Sequence, residues 1–212
     1  FRSGWQFLTT IILARIFTPT EFGIISAILI LVSFTDIVWQ VGVGPSIVQK
    51  KVLSKIDIST AMTTSIVFGF SAAIIITSNS SLIINFLNID KEIYVMVIAF
   101  SFLLNSLTIV PLSLLQRKMK FKYIVKKDIF SNVFYTMIAV ILGIMGFGVW
   151  ALIIGTLAKY CVSLLIVWKA YSVKIPLGFN KNSFIEMITF GGGVTLSRIF
   201  NVTANQGDYL II

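Results

Sequence analysis

The 212-residue chain is 57% hydrophobic and only 12% charged, with a formal net charge of +9. A soluble domain carries roughly 25% charged residues, so this composition excludes a water-covered globule and points to a surface that faces lipid. There is no His, and Cys161 is the only Cys. That excludes an internal disulfide, a Cys/His zinc site and His-based acid–base chemistry, and no catalytic residue, metal or cofactor is expected.

A helix needs about 20 apolar residues to cross about 30 Å of hydrocarbon. Stretches of this kind predict about seven membrane-spanning helices, over 3–17, 22–43, 58–78, 93–115, 129–147, 149–168 and 184–206. The chain starts at Phe1, almost inside the first span, and stops at Ile212 in apolar sequence, so both ends read as cuts in a longer protein. Thr18-Pro19-Thr20-Glu21 breaks the first span from the second. Pro19 fixes its own φ and disfavours helix at Thr18, and Thr20-Glu21 is expected to cap the next span.

Gly42-Val43-Gly44-Pro45 is expected to end the second span. Residues 79–92 read as the largest outer loop, with Asp90, Lys91 and Glu92 as its only charges. Gly146-Phe147-Gly148 predicts a tight turn between the fifth and sixth spans. Cys161, in the sixth, is expected to be a small buried residue. Gly191-Gly192-Gly193 lies within the seventh span and lacks the Lys-Ser/Thr ending of a phosphate loop. It reads either as a close helix contact or as a bending point. Trp5, Trp39, Trp150 and Trp168 fall near span ends, as an interfacial belt requires.

The basic residues are segregated. Arg2 precedes the first span, Lys50, Lys51 and Lys55 follow the second, and Arg117, Lys118, Lys120, Lys122, Lys126 and Lys127 lie between the fourth and fifth. Lys169, Lys174 and Lys181 lie between the sixth and seventh. These alternate segments share one side and hold 13 of the 17 basic residues. Positive-inside bias puts that side, and the N-terminus, in the cytoplasm. The six-charge segment reads as a solvated topogenic loop in preference to a nucleic-acid or lipid-headgroup site, and no nucleic-acid partner is expected.

Ionisable groups deep in a span cost several kcal/mol unless they face a partner or a wet cavity. Arg198 lies well inside the seventh span, with Thr195 before it and Asn201, Asn205 and Asp208 after it at helical spacing. This polar stripe reads either as a helix–helix contact or as an anion-binding wall of a central cavity. Arg198 stays charged there, and the second reading is preferred because the stripe is long and polar all along. Lys159 lies near the middle of the sixth span and shares a face with Thr156 and Ser163. It either adds a positive charge to the same cavity or snorkels to the interface. Asp36, with Ser33 and Gln40 on its face of the second span, is an ion-pair partner or a coupling group.

Several motifs then carry a family resemblance. Ile11-Ile12-Leu13-Ala14-Arg15-Ile16-Phe17-Thr18-Pro19-Thr20-Glu21-Phe22-Gly23 resembles the first helix junction of bacterial polysaccharide flippases. Leu115-Gln116-Arg117-Lys118-Met119-Lys120-Phe121 resembles the family's loop after its fourth helix, and Gly146-Phe147-Gly148-Val149-Trp150-Ala151-Leu152 its helix five–six turn. Asn205-Gln206-Gly207-Asp208-Tyr209-Leu210-Ile211-Ile212 resembles the end of its seventh helix. The matches run through the whole chain in order.

The resemblance implies membership of the multidrug/oligosaccharidyl-lipid/polysaccharide exporter group, whose members have two six-helix bundles around a cavity. It implies an all-α integral membrane chain divided into a first bundle, 1–182, and the opening helix of a second, 183–212. It implies a cargo of lipid-linked (undecaprenyl-pyrophosphate) oligosaccharide repeat units, moved across the cytoplasmic (inner) membrane by alternating access. Membrane lipids, a polysaccharide polymerase and glycosyltransferases are the implied partners. Arg198 and Lys159 would offset the pyrophosphate charge, and Asn201, Asn205 and Asp208 would complete the substrate wall. A cation-coupled multidrug exporter and a peptidoglycan-precursor flippase are the alternatives.

Overall fold

In a computed structural model, residues 9–39, 42–87, 89, 91–171 and 177–206 are described, with backbone alone at 31, 34–39 and 194–206. Every regular element among the described residues is a helix. The first, α1, is described over 9–14. It is followed by α2 (Pro19–Trp39), α3 (Val43–Gln49), α4 (Lys55–Ser78) and α5 (Ser80–Leu87), then by α6 (Glu92–Arg117), α7 (Phe121–Ile144), α8 (Val149–Tyr171) and α9 (Lys181–Gln206).

The helix starts follow from local chemistry. The Thr18 hydroxyl accepts from the Glu21 amide (3.3 Å), and the Glu21 carboxylate accepts from the Thr18 amide (2.8 Å). This is a capping box with Pro19 at the first helical position, where its missing N–H costs nothing. The cap is therefore Thr18, not Thr20 as expected, because the box needs its carboxylate three residues on. Ser54 and Asp57 make the same box at α4. At α9 the Asn180 side chain accepts from the Asn182 and Ser183 amides (3.0 and 3.1 Å).

Two expectations about element boundaries are corrected. The chain does not simply stop being helical at Gly42-Pro45. Gly42 adopts φ 65° and starts α3, with Pro45 in its first turn. The expected outer loop at 79–92 contains α5, whose Leu82 and Phe86 are exposed while Ile83, Ile84 and Leu87 pack on the core.

The packing is inverted relative to a soluble bundle. On α4 the buried residues include Ser59, Thr60, Thr64 and Ser65, while Val67, Phe70 and Ile74 are exposed. On α7, Phe130, Phe134, Met137 and Ile141 form an exposed apolar stripe at helical spacing. Such a surface requires lipid. α4, α6, α7 and α8 are each long and apolar enough to span a membrane, and α2 adds the shorter apolar stretch Pro19–Ile30. The first, second and seventh expected spans extend beyond the described side chains. The chain is an all-α membrane protein.

α6 is central and packs against α2, α3, α4, α5, α7 and α8. Pro111 inside α6 cannot donate to the Leu107 carbonyl, and the Trp168 indole N–H donates to that carbonyl instead (3.0 Å). Trp168 therefore has an interior task beyond the interfacial one expected, because a freed backbone carbonyl inside the bundle must find a donor. Trp150 stacks edge-to-face on Tyr94, with centroids 5.2 Å apart. Trp5 and the Trp39 side chain lie outside the described residues. Cys161 is exposed, not buried, because it sits on the outward face of α8.

The basic loops converge at one end, as their alternation predicted. The Arg117 guanidinium donates to the carbonyls of Ile47 (2.9 Å), Val48 (3.2 Å), Lys50 and Lys51 (3.1 Å), closing the end of α3. The Lys118 ammonium lies 5.4 Å from the Tyr171 ring centroid, at the end of α8. Arg117 is thus a structural cap, not a freely solvated charge. At the opposite end Gly146 and Gly148 take φ 81° and 54° to make the expected turn, and Glu92 accepts hydrogen bonds from Ser80 and Ser81.

Candidate functional site

α1, α2, α7 and α8 enclose a cavity of about 570 Å³. Its apolar lining comes from Leu13, Phe22, Ile25, Leu29, Val32 and Leu152. Its polar lining comes from hydroxyls and an amide: Thr9, Thr10, Ser26, Ser33, Asn132, Tyr135, Thr156 and Tyr160. Lys159 is the only charged side chain among the described lining residues.

Each polar side chain is set by its helix. Thr156 is buried and donates to the Leu152 carbonyl one turn back (2.8 Å). Ser33 donates to the Leu29 carbonyl (2.8 Å), and the Asn132 amide donates to the Asp128 carbonyl (2.7 Å). These back-bonds keep small polar groups satisfied in an apolar setting. The Thr9 and Thr136 hydroxyls meet at 3.0 Å and tie α1 to α7 beside the cavity. The Lys159 ammonium stands 5.9 Å from the Tyr135 ring centroid, a cation–π contact that holds the charge without removing it. A mostly neutral, hydroxyl-rich cavity with one fixed cation suits an anionic, hydroxyl-bearing ligand.

Of the residues singled out from sequence, the structure brings Lys159 and Thr156 together in this cavity. Ser33, on the face of α2 that carries Asp36, also lines it, whereas Ser163 is not part of the lining. The Asp36 side chain lies outside the described residues. Arg198, Asn201 and Asn205 fall on the helical backbone of α9, and their side chains lie outside the described residues. Asp208 lies outside them altogether. No described α9 side chain lines the cavity; α9 packs instead against α2, α3 and α4. Sequence reasoning missed Asn132, Tyr135 and Tyr160. The signal available was the polar set Asn132, Tyr135, Thr136 on one face of the expected fifth span.

Among the described residues no group of His, Cys, Asp or Glu side chains could hold a metal ion.

Comparison with known proteins adds the family context. A family model described as polysaccharide biosynthesis protein matches residues 12–212. The succinoglycan biosynthesis transport protein ExoT of Rhizobium meliloti (strain 1021) is 24% identical over 212 residues, covering 99% of this chain and 42% of that protein. An uncharacterized membrane protein in the cps region of Klebsiella pneumoniae is 26% identical over 146 residues, covering 66% of this chain and 29% of its own length. The chain therefore spans less than half the length of these curated relatives. No solved structure matches it.

Proposed function

The chain belongs to the polysaccharide biosynthesis protein family whose model it matches, and from that membership we propose that it is part of a transporter for lipid-linked oligosaccharide repeat units. The cargo carries a pyrophosphate and sugars. Taking the pyrophosphate through hydrocarbon uncompensated is prohibitive. The observation that carries the reading is the cavity in which Lys159 is the only charge among the described lining residues, surrounded by hydroxyl groups. A cation offsets phosphate charge, and hydroxyl and amide groups match sugar hydroxyls.

In this reading 1–182 forms a first bundle and α9 opens a second. Arg198 lies two turns beyond Gly191 on α9, and with Asn201, Asn205 and Asp208 it supplies the facing wall. Asp36 serves as an ion-pair or coupling group. The bundles rock to expose the cavity to either side in turn. The basic loops and the N-terminus face the cytoplasm, and the membrane is the bacterial cytoplasmic membrane. Membrane lipids, a polymerase and glycosyltransferases are its partners in polysaccharide assembly. The chain catalyses no reaction of its own. The cations Arg198 and Lys159 within the expected spans favour an anionic cargo over the cationic drugs of a multidrug exporter.

The test is substitution in the intact protein in its host. Lys159→Met and Arg198→Ala should each lower surface polysaccharide roughly 10- to 100-fold while the protein stays in the membrane at normal amount. Normal polysaccharide from both variants would reject the anion-site reading.

A further inference from the structure

At the basic-loop end, α9 is fastened to α3 and α4 by a chain of polar contacts that the cavity does not use. The Lys50 ammonium bridges two carboxylates, Glu186 on α9 (2.8 Å) and Asp57 on α4 (3.0 Å). From α9, the Ser183 hydroxyl donates to the same Asp57 Oδ1 that the Lys50 ammonium touches (2.8 Å). The Asn180 amide donates to the Thr60 hydroxyl (3.1 Å). The Thr63 hydroxyl accepts from the Gly178 amide (3.1 Å) and donates to the Gly178 carbonyl (3.0 Å). Below this polar rim, Met187 is buried among Val43, Ile47, Met62 and Leu114. Gly191 then meets Gly42 backbone to backbone: a Cβ placed on Gly42 would lie 1.8 Å from the Gly191 Cα.

Positions 183, 187 and 191 recur at four-residue spacing, so one face of α9 carries its part of the contact, and Gly178 and Asn180 extend it ahead of the helix. Its parts differ in strength. Asp57 is 4% exposed and makes its capping box with Ser54 through Oδ2, the carboxylate oxygen that neither Lys50 nor Ser183 touches. The Lys50 and Glu186 side chains are 22% and 60% exposed. The hydrogen bond that Lys50 donates to Glu186, aided by Asp57, holds the Lys50 ammonium above its ordinary pKa. A partly exposed ion pair of this kind is weak enough to exchange its partner for water, and Asp57 does not lose its cap when it does.

We propose that Lys50, Asp57, Ser183 and Glu186 form a releasable latch that closes the basic-loop end between α4 and α9, and that it opens in each transport cycle. The inference rests on the alternating-access reading, in which α9 belongs to the second bundle. The structure holds the latch closed, so the cargo enters from this end only after Lys50 lets go of Glu186.

Two measurements on the intact protein, in a Cys161→Ser background, test it. In the first, Lys50→Cys and Glu186→Cys are bridged with a short bifunctional methanethiosulfonate. Both positions are accessible, and the bridge is removed by reductant. Bridging should stop polysaccharide export and reduction should restore it; failure to bridge, or normal export when bridged, overturns the latch. In the second, Met187→Cys reports opening through its reaction with N-ethylmaleimide. Lys50→Gln should raise that rate roughly two- to fivefold, the range an exposed ion pair supports. An unchanged rate overturns the latch, and this arm decides alone should the unbridged double variant export nothing. Failure of the latch leaves the Lys159→Met defect in place, whereas failure of the transport reading removes that defect, so the two are told apart.

Discussion

The Lys159 ammonium of α8 lies over the Tyr135 ring of α7, 5.9 Å from its centroid, on the wall of a cavity otherwise lined by neutral side chains among the described residues. This pairing is what turns a costly intramembrane charge into a defined feature. The ring helps to fix the cation in place by its quadrupole. An anion entering the cavity meets a positive charge in a low-dielectric setting, where the attraction is stronger than in water.

The first prediction follows from that charge. Lys159→Met should lower export roughly 10- to 100-fold, the size of one lost charge-assisted hydrogen bond. Lys159→Arg should keep most of the activity, since the charge stays. Tyr135→Leu should act more weakly, through a lost contact worth about 0.5–2 kcal/mol. Surface polysaccharide measured against protein in the membrane gives all three.

The second prediction concerns Trp168 and Pro111. Trp168→Phe leaves the Leu107 carbonyl without its donor and should cost about 1–3 kcal/mol, read as a lower melting temperature in detergent. Pro111→Ala supplies a backbone N–H for the same carbonyl. In the double variant the loss of Trp168 should therefore cost less than it does alone, a coupling that a double-mutant cycle measures directly.

A third concerns Arg117, which closes the end of α3 through the carbonyls of Ile47, Val48, Lys50 and Lys51. Arg117→Met should destabilise the protein by about 1.5–3 kcal/mol, as expected for bonds to a charged donor. Arg117→Lys should recover only part, because an ammonium lacks the planar fork that spans several acceptors. Proteolysis within the basic loop before α4 should rise in the same order.

Cys161 supplies a negative control. It is exposed on α8, so Cys161→Ser should leave thermal stability within about 0.5 kcal/mol of the parent. A large loss of stability would contradict the outward placement of this face.

Much of the fold was legible because lipid imposes a simple rule: long apolar stretches become helices, and basic loops gather on one side. The three basic loops do meet, through Arg117, Lys118 and Lys50. Short elements escaped. α3 continues the apolar run of α2 and is betrayed only by the left-handed Gly42, while α5, at eight residues, is too short to read as a span. The capping box at Thr18 was visible in Thr-Pro-Thr-Glu, but the cap was placed two residues late.

The site was legible in one part only. Lys159 stood out because a charge inside a span is costly. Tyr135 and Asn132 did not, because their role arises from α7 packing beside α8, which periodicity within one helix cannot show. The latch was hidden for the same reason: Lys50 and Glu186 are 136 residues apart in sequence, one in a basic loop and the other within the expected seventh span.

The most direct test of the central claim uses the intact protein in liposomes loaded with a lipid-linked pyrophosphate oligosaccharide, followed by attack from a membrane-impermeant glycosidase. Wild-type protein should bring cargo from the protected leaflet to the attacked one, and Lys159→Met should slow this roughly 10- to 100-fold. Cargo that stays protected with wild-type protein, or that moves equally fast with Lys159→Met, would contradict the account.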